Sequence, residues 1–206
     1  KGCFCMYPCK YIMNKPYSVD DHEFDWQLCR RSFLKAGALA LCGCLFPQAA
    51  LGAAKNMVPS QRSLSIFNQH TGESLEKVYW SRGRYIPDAL AEINRIMRDH
   101  RTNEVIPMDT GLLDLLHAIH CRMGSQEMLQ IISGYRSPVT NRHLRECGRG
   151  VAKNSLHMEG MAADICLPDK SLSELRETAV ALKCGGVGYY PRSGFVHVDV
   201  GSVRYW

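Results

Sequence analysis

Beyond the first sixty residues, apolar and polar positions alternate in two short runs. Leu64 and Ile66 recur at every second position within Ser63–Gln69, and a second run covers Leu75–Trp80. A period of two marks a half-buried strand. The intervening His70-Thr71-Gly72-Glu73 supplies a turn, so the pair predicts a β-hairpin. From Pro87 the period becomes helical, with Leu90, Ile93, Ile96 and Met97 on one face. Pro87 suits the first helical position, where no backbone N–H is needed. Asp109 is placed to cap a second helix, which turns Leu112, Leu113, Leu115, Leu116 and Ile119 to the core and ends near Gly124. Leu129–Ser133 reads as a short apolar strand stopped by Gly134, and a third helix runs from about Pro138 to Cys147. Ala162–Leu167 reads as a strand, Ser171–Lys183 as a helix capped by Ser171, and Gly186–Tyr190 and Phe195–Val200 as closing strands. Helices come early and the later strands lie too close together for repeated βαβ units. The pattern predicts an α+β fold on a small, largely antiparallel sheet flanked by helices.

The segment ahead of residue 55 has a different character. Paired Arg30-Arg31 followed by Ser32-Phe33-Leu34-Lys35 precede the apolar run Ala36–Phe46. No polar face recurs in that run, which excludes an amphipathic core helix. It is also far shorter than the ~20 residues of a membrane-spanning helix. Twin arginines, a short apolar segment and the small residues Ala49, Ala50, Gly52, Ala53 and Ala54 have the form of a cleavable twin-arginine export signal. The expected organisation is a poorly defined extension over 1–29, a signal over 30–54, and one domain over 55–206 delivered to the periplasm. Leu41-Cys42-Gly43-Cys44 offers an alternative, a lipoprotein anchored through Cys44. Since the sequence opens at Lys1, translation is expected to begin at Met6 or Met13.

Composition narrows the partners. With 25 Lys+Arg against 20 Asp+Glu and 46% hydrophobic residues, the 206-residue chain is globular and only mildly basic. No basic stripe interleaved with aromatics points to nucleic acid. Cys121, Cys147, Cys166 and Cys184 remain in the exported part. In an oxidising compartment four cysteines allow three pairings, with isolated thiols as the alternative.

The densest polar signal is Ser155-Leu156-His157-Met158-Glu159-Gly160-Met161-Ala162-Ala163-Asp164. Gly160 permits a sharp bend, which lets His157 fold back over the strand that follows. On that strand Ala162, Asp164 and Cys166 share one face. Near the end of the chain Phe195, His197 and Asp199 share a face, opposite Val196, Val198 and Val200. Two neighbouring strands presenting Asp164 and His197, with His157 arching in, form a two-His, one-Asp set suited to Zn²⁺ with a fourth position open. Cys166 could instead close that shell and make the metal structural. His157-Met158-Glu159 is not followed by the Pro-Cys-x-x-Cys of zinc deaminases. Gly186-Val187-Gly188 lacks the third glycine and the helix of a dinucleotide site, and no Gly-x-Ser-x-Gly elbow occurs.

Ser-x-His-x-x-Gly-x-Ala-x-Asp over Ser155–Asp164, followed by a strand histidine at 197, resembles the zinc D-Ala-D-Ala peptidase group, which shares its metal site with lysostaphin-type peptidases and hedgehog domains. Within it, the chain is similar to the MepK type of murein endopeptidase. That similarity is carried by His70-Thr71-Gly72-Glu73, Ser133-Gly134-Tyr135-Arg136-Ser137, Arg149-Gly150-Val151-Ala152-Lys153, Gly185–Ser193 and Phe195-Val196-His197-Val198-Asp199. The resemblance implies a periplasmic zinc hydrolase that cuts peptide cross-links in peptidoglycan, diaminopimelate–diaminopimelate bonds in particular. It implies His157, Asp164 and His197 as ligands, Arg136 as the group that binds a substrate carboxylate or polarises the scissile carbonyl, and Ser155 as a hydrogen-bond donor to substrate. The carboxypeptidases of the group carry a carboxylate three residues before the last histidine, where this chain has Gly194. Asp199 is the candidate replacement as general base, with orientation of a ligand imidazole as its other role. The rival readings are a D,D-carboxypeptidase or D,D-endopeptidase on the same scaffold, and a peptidoglycan-binding domain without catalysis.

Overall fold

A computed structural model describes residues 61–148 and 150–206. The signal segment, Arg30 and Arg31, Cys44 and the boundaries at 29 and 54 lie outside the described residues. The expected hairpin forms from β1 (Gln61–Asn68) and β2 (Ser74–Ser81), which pair antiparallel. Asn68 shapes the turn: its side-chain oxygen accepts from the His70 N–H at 2.9 Å, and its carbonyl accepts from the N–H of Gly72, which sits at φ 72°. A two-residue β3 (Arg84–Tyr85) returns along β2.

Helix α1 (Pro87–Ile96) starts on its proline, and α2 (Thr110–Met123) starts where Asp109 accepts from the Gly111 N–H at 2.7 Å. Gly124 ends α2 in the left-handed conformation. Then come β4 (Leu129–Ser133), α3 (Pro138–Glu146), a 3₁₀ turn (Leu156–Glu159) and β5 (Ala162–Cys166). Helix α4 (Leu172–Leu182) carries a full capping box, Ser171 and Glu174 each bonding the other's backbone N–H. The chain closes with β6 (Gly186–Tyr190), β7 (Phe195–Asp199) and β8 (Arg204–Tyr205).

The strands form one sheet in the order β3-β2-β1-β4-β5-β7-β6-β8. It is larger than the sequence pattern predicts, and it is mixed: β1 pairs parallel with β4, and β6 parallel with β8. Alternation identifies which face of a strand is apolar but not which strand lies beside it. The β1–β4 pairing needs the crossover through α1 and α2, which local patterning does not reveal. β3 and β8 are too short to show a period at all.

Helices α2 and α4 pack against each other, α2 on β1 and α4 on β6 and β7. Between helices and sheet lies the core, with Leu64, Ile66, Leu112, Leu116, Ile131, Ile165, Val196 and Val198 all at 1% exposure or less. Ile165 and Val198 point into that core, so the alternate residues Asp164 and His197 point out of the opposite face. Cys121 and Cys147 carry free thiols, so none of the three two-bond patterns among the four cysteines forms.

Candidate metal centre

The site is built on a cross-strand register. β5 and β7 pair antiparallel with Asp164 opposite His197, so both side chains rise from the same face as immediate neighbours. The 3₁₀ turn delivers the third group. It ends at Gly160, φ 69°, where an added Cβ would lie 2.7 Å from the Pro107 carbonyl oxygen, so only glycine lets the chain turn there. The turn drops His157 into a position where it is 2% exposed.

Three ligand-type atoms converge. His197 Nδ1 lies 2.9 Å from Asp164 Oδ1, His157 Nε2 lies 3.3 Å from that oxygen, and the two ring nitrogens are 3.2 Å apart. Donors bound at 2.0–2.1 Å around a tetrahedral ion stand roughly 3.3 Å from one another. The opposite ends of both rings explain why these atoms face inward. His157 Nδ1 lies 2.8 Å from the Gly134 carbonyl oxygen, which can only accept, so the proton resides on Nδ1 and Nε2 presents its lone pair. His197 Nε2 donates to Asp199 Oδ2 at 3.1 Å, so in the neutral ring the Nδ1 lone pair is the one that faces Asp164. A second proton on His197 sits on Nδ1 against Asp164; once it is displaced, three acceptors meet, an arrangement that a cation relieves. The donor set fits Zn²⁺.

The field at the centre agrees. Burial alone would raise the Asp164 carboxyl, but the His157 and His197 imidazoles beside it hold it well below the usual carboxylate range. Burial opposes charge on His197, yet its bonds to Asp164 and Asp199 prevail and lift it to about 9. The pocket thus attracts positive charge.

Of the residues implied for substrate, Arg136 stands at the edge of the centre, its Nη2 3.2 Å from Ser133 Oγ and 3.4 Å from Asp164 Oδ2. Burial lowers its pKa, opposed by the charge of Asp164. Its Nε and Nη1 make no hydrogen bond among the described residues. Ser155 starts the 3₁₀ turn without capping it, and its hydroxyl is unused among the described residues. Cys166 turns toward Gln130 and Gln69 and stays outside the three-residue group. Gly194 forms the turn between β6 and β7 at φ 77°. Asp199 is fully buried. Its Oδ1 accepts from the Gly186 N–H, the Gly201 N–H and Arg204 Nη1, and its Oδ2 from His197 Nε2 and Arg204 Nη2. Sequence reasoning missed the Gly134 carbonyl, Arg204 and Trp206, whose ring lies 5.4 Å from that of His197. A backbone acceptor leaves no mark in a sequence. Arg204 and Trp206, two residues apart, carry only a faint strand-like alternation.

The profile of the family described as peptidoglycan L,D-endopeptidase MepK matches residues 56–206. The chain is 41% identical over 177 residues to the peptidoglycan L,D-endopeptidase MepK of Escherichia coli (strain K12), covering 86% of this chain and 96% of the relative. It is 38% identical over 178 residues to the probable peptidoglycan L,D-endopeptidase MepK of Haemophilus influenzae, covering 86% and 95%. On a match that spans every described residue, this chain belongs to the peptidase family of the peptidoglycan L,D-endopeptidase MepK.

Proposed function

We propose that this peptidase is a zinc-dependent endopeptidase that opens diaminopimelate–diaminopimelate cross-links in peptidoglycan. The observation that carries the metal assignment is the meeting of His157 Nε2, His197 Nδ1 and Asp164 Oδ1 at 2.9–3.3 Å, with the opposite nitrogen of each ring bonded elsewhere. Zinc held there would act as a Lewis acid on the scissile carbonyl and make hydroxide available near neutral pH.

The chain's own residues supply the rest. Gly134 and Asp199 keep the two imidazoles in the tautomers that aim lone pairs at the metal. Asp199 is buried and accepts from Gly186, Gly201, His197 and Arg204, so we assign it to orienting His197 rather than to taking a proton. Arg136 offers its unengaged N–H groups to a substrate carboxylate or to the oxygen on which negative charge develops. Ser155 donates to the substrate main chain. The substrate lies in the cell envelope, and Arg30-Arg31 with the apolar run after it support export to the periplasm by the twin-arginine route.

The test is incubation of the zinc-loaded protein with purified cross-linked muropeptides, with products identified by mass spectrometry. Chelated protein and His157→Ala run beside it. Disappearance of diaminopimelate-linked dimers in the wild type alone is the expected result. Released D-alanine would identify a carboxypeptidase instead, and intact dimers despite bound zinc would overturn the catalytic reading.

A further inference from the structure

Four side chains close a ring of contacts on the far side of His197 from the metal position. His197 Nε2 holds Asp199 Oδ2 at 3.1 Å. Arg204 grips both oxygens of Asp199, Nη2 at 2.7 Å from Oδ2 and Nη1 at 3.2 Å from Oδ1. The Arg204 guanidinium lies 5.1 Å from the centre of the Trp206 ring, and that ring lies 5.4 Å from His197. The geometry follows from strand alternation. β7 presents His197 and Asp199, and the β8 segment presents Arg204 and Trp206, each pair two residues apart on one face.

Trp206 is anchored at several points. Its N–H donates to the Val187 carbonyl at 3.2 Å, and its carbonyl accepts from the Tyr189 N–H at 2.9 Å. Its indole N–H donates to the Tyr190 hydroxyl at 2.7 Å, and Tyr190 in turn stacks on Phe195. The ring's seat is an absent side chain. Gly188 faces His197 across the β6–β7 ladder, and a Cβ there would come within 2.6–2.8 Å of three indole atoms. Yet Trp206 is 47% exposed. A residue held by this many contacts and still about half exposed serves what lies beside it rather than a core.

We propose that Arg204 and Trp206 are positioning residues for the metal centre: the β8 segment braces the Asp199–His197 pair and so sets the aim of a metal-ligating nitrogen. Asp199 is fully buried, and a buried carboxylate is held in place by donors and a countercharge at its oxygens. Arg204, 43% exposed in its side chain, supplies that charge, and the indole face confines it while covering the flank of His197. The inference rests on the assignment of His157, Asp164 and His197 as zinc ligands.

The experiment measures zinc affinity of the whole protein by competition with a chromophoric chelator, with circular dichroism and thermal melting on each sample. Trp206→Ala is expected to weaken zinc about tenfold or more, the range found when groups behind a ligand are removed. Gly188→Ala keeps the indole but evicts it from its seat, and should weaken zinc to a similar extent. The double variant should bind no worse than the weaker single, because each change removes the same contact. Trp206→Phe retains a ring face and should recover most of the affinity. Tyr205→Ser, on the same strand with its side chain on the other face, should leave affinity unchanged. Zinc bound equally well by wild type and folded Trp206→Ala, or a loss in Tyr205→Ser as large as in Trp206→Ala, overturns the brace alone. A wild-type protein that binds no zinc overturns the ligand assignment and the brace with it.

Discussion

His197 is gripped by a carboxylate at each end of its ring, Asp164 Oδ1 at 2.9 Å from Nδ1 and Asp199 Oδ2 at 3.1 Å from Nε2. Only the Asp164 end faces His157, so the two carboxylates have different work. Asp199→Asn preserves shape but removes the charge that accepts from His197 and balances Arg204. Zinc affinity is expected to fall about 10- to 100-fold, while kcat at saturating zinc stays within about tenfold of wild type. A proton-transfer role would give the reverse, unchanged zinc affinity with a collapsed kcat. Titration calorimetry and steady-state kinetics on one preparation separate the two.

Removal of a ligand should abolish binding outright. His157→Ala and His197→Ala are expected to lower bound zinc from one ion per chain to none and cleavage to background. Zinc at a hundredfold excess over its Kd stabilises a folded protein by about 2.7 kcal/mol, roughly 5–10 °C of Tm for a domain of this size. The wild type should lose that increment on chelation, and neither variant should have it to lose. Differential scanning calorimetry with and without chelator provides the check.

Arg136→Lys tests the guanidinium. Lysine keeps a charge near Asp164 but cannot present the planar N–H edge that Arg136 leaves unengaged. Expected is a loss of about 10- to 100-fold in kcat/KM with zinc affinity changed by only a few-fold. An unaltered kcat/KM would make Arg136 a structural partner of Asp164 alone.

Much of this centre was legible in the order of residues. Alternation placed His197 and Asp199 on one strand face and Asp164 on another, and Gly160 marked the bend that returns His157. Hidden were the relations that depend on strand neighbours. Nothing in Phe195–Asp199 says that β5 lies beside it in a register that opposes Asp164 to His197. Nothing in Arg204–Tyr205 says that it lies parallel to β6 and over Asp199. Local pattern encodes orientation, while adjacency is a property of the assembled sheet.

Gly134 shows how backbone and site are joined. Its carbonyl holds His157 Nδ1 at 2.8 Å, and a Cβ on it would lie 2.4 Å from the Met97 carbonyl oxygen. Because the Met97 carbonyl in the way belongs to the main chain, Gly134→Ala must shift the segment that orients His157. Thermal stability is expected to drop by about 1–3 kcal/mol, together with zinc affinity. A melt matching wild type would show that the segment yields without strain.

Acid should loosen the same end of the sheet through a different group. Asp99 is 1% exposed; burial raises its carboxyl, but Thr140, Ser137 and the Arg101 N–H bond to it and bring it to about 2. An unfolded aspartate titrates near 3.9. The folded value is the lower one, so this stabilisation is complete above pH ~4 and is lost as pH falls from about 4 toward 2. It amounts to something on the order of 1–2 kcal/mol. Asp99→Asn should be less stable at pH 7 and should show a smaller fall over that acid interval, as read from urea unfolding at several pH values.

The pairing of Asp164 with His197 across β5 and β7 ties chemistry to assembly. Sliding β7 by one residue would replace the imidazole with the methyl groups of Val196 or Val198 and turn the histidine into the apolar core. No partly competent intermediate exists between the two alignments. Capacity to hold a metal is therefore an all-or-none certificate that the central strands have been matched correctly, and a misaligned copy of this hydrolase is disarmed by its own geometry.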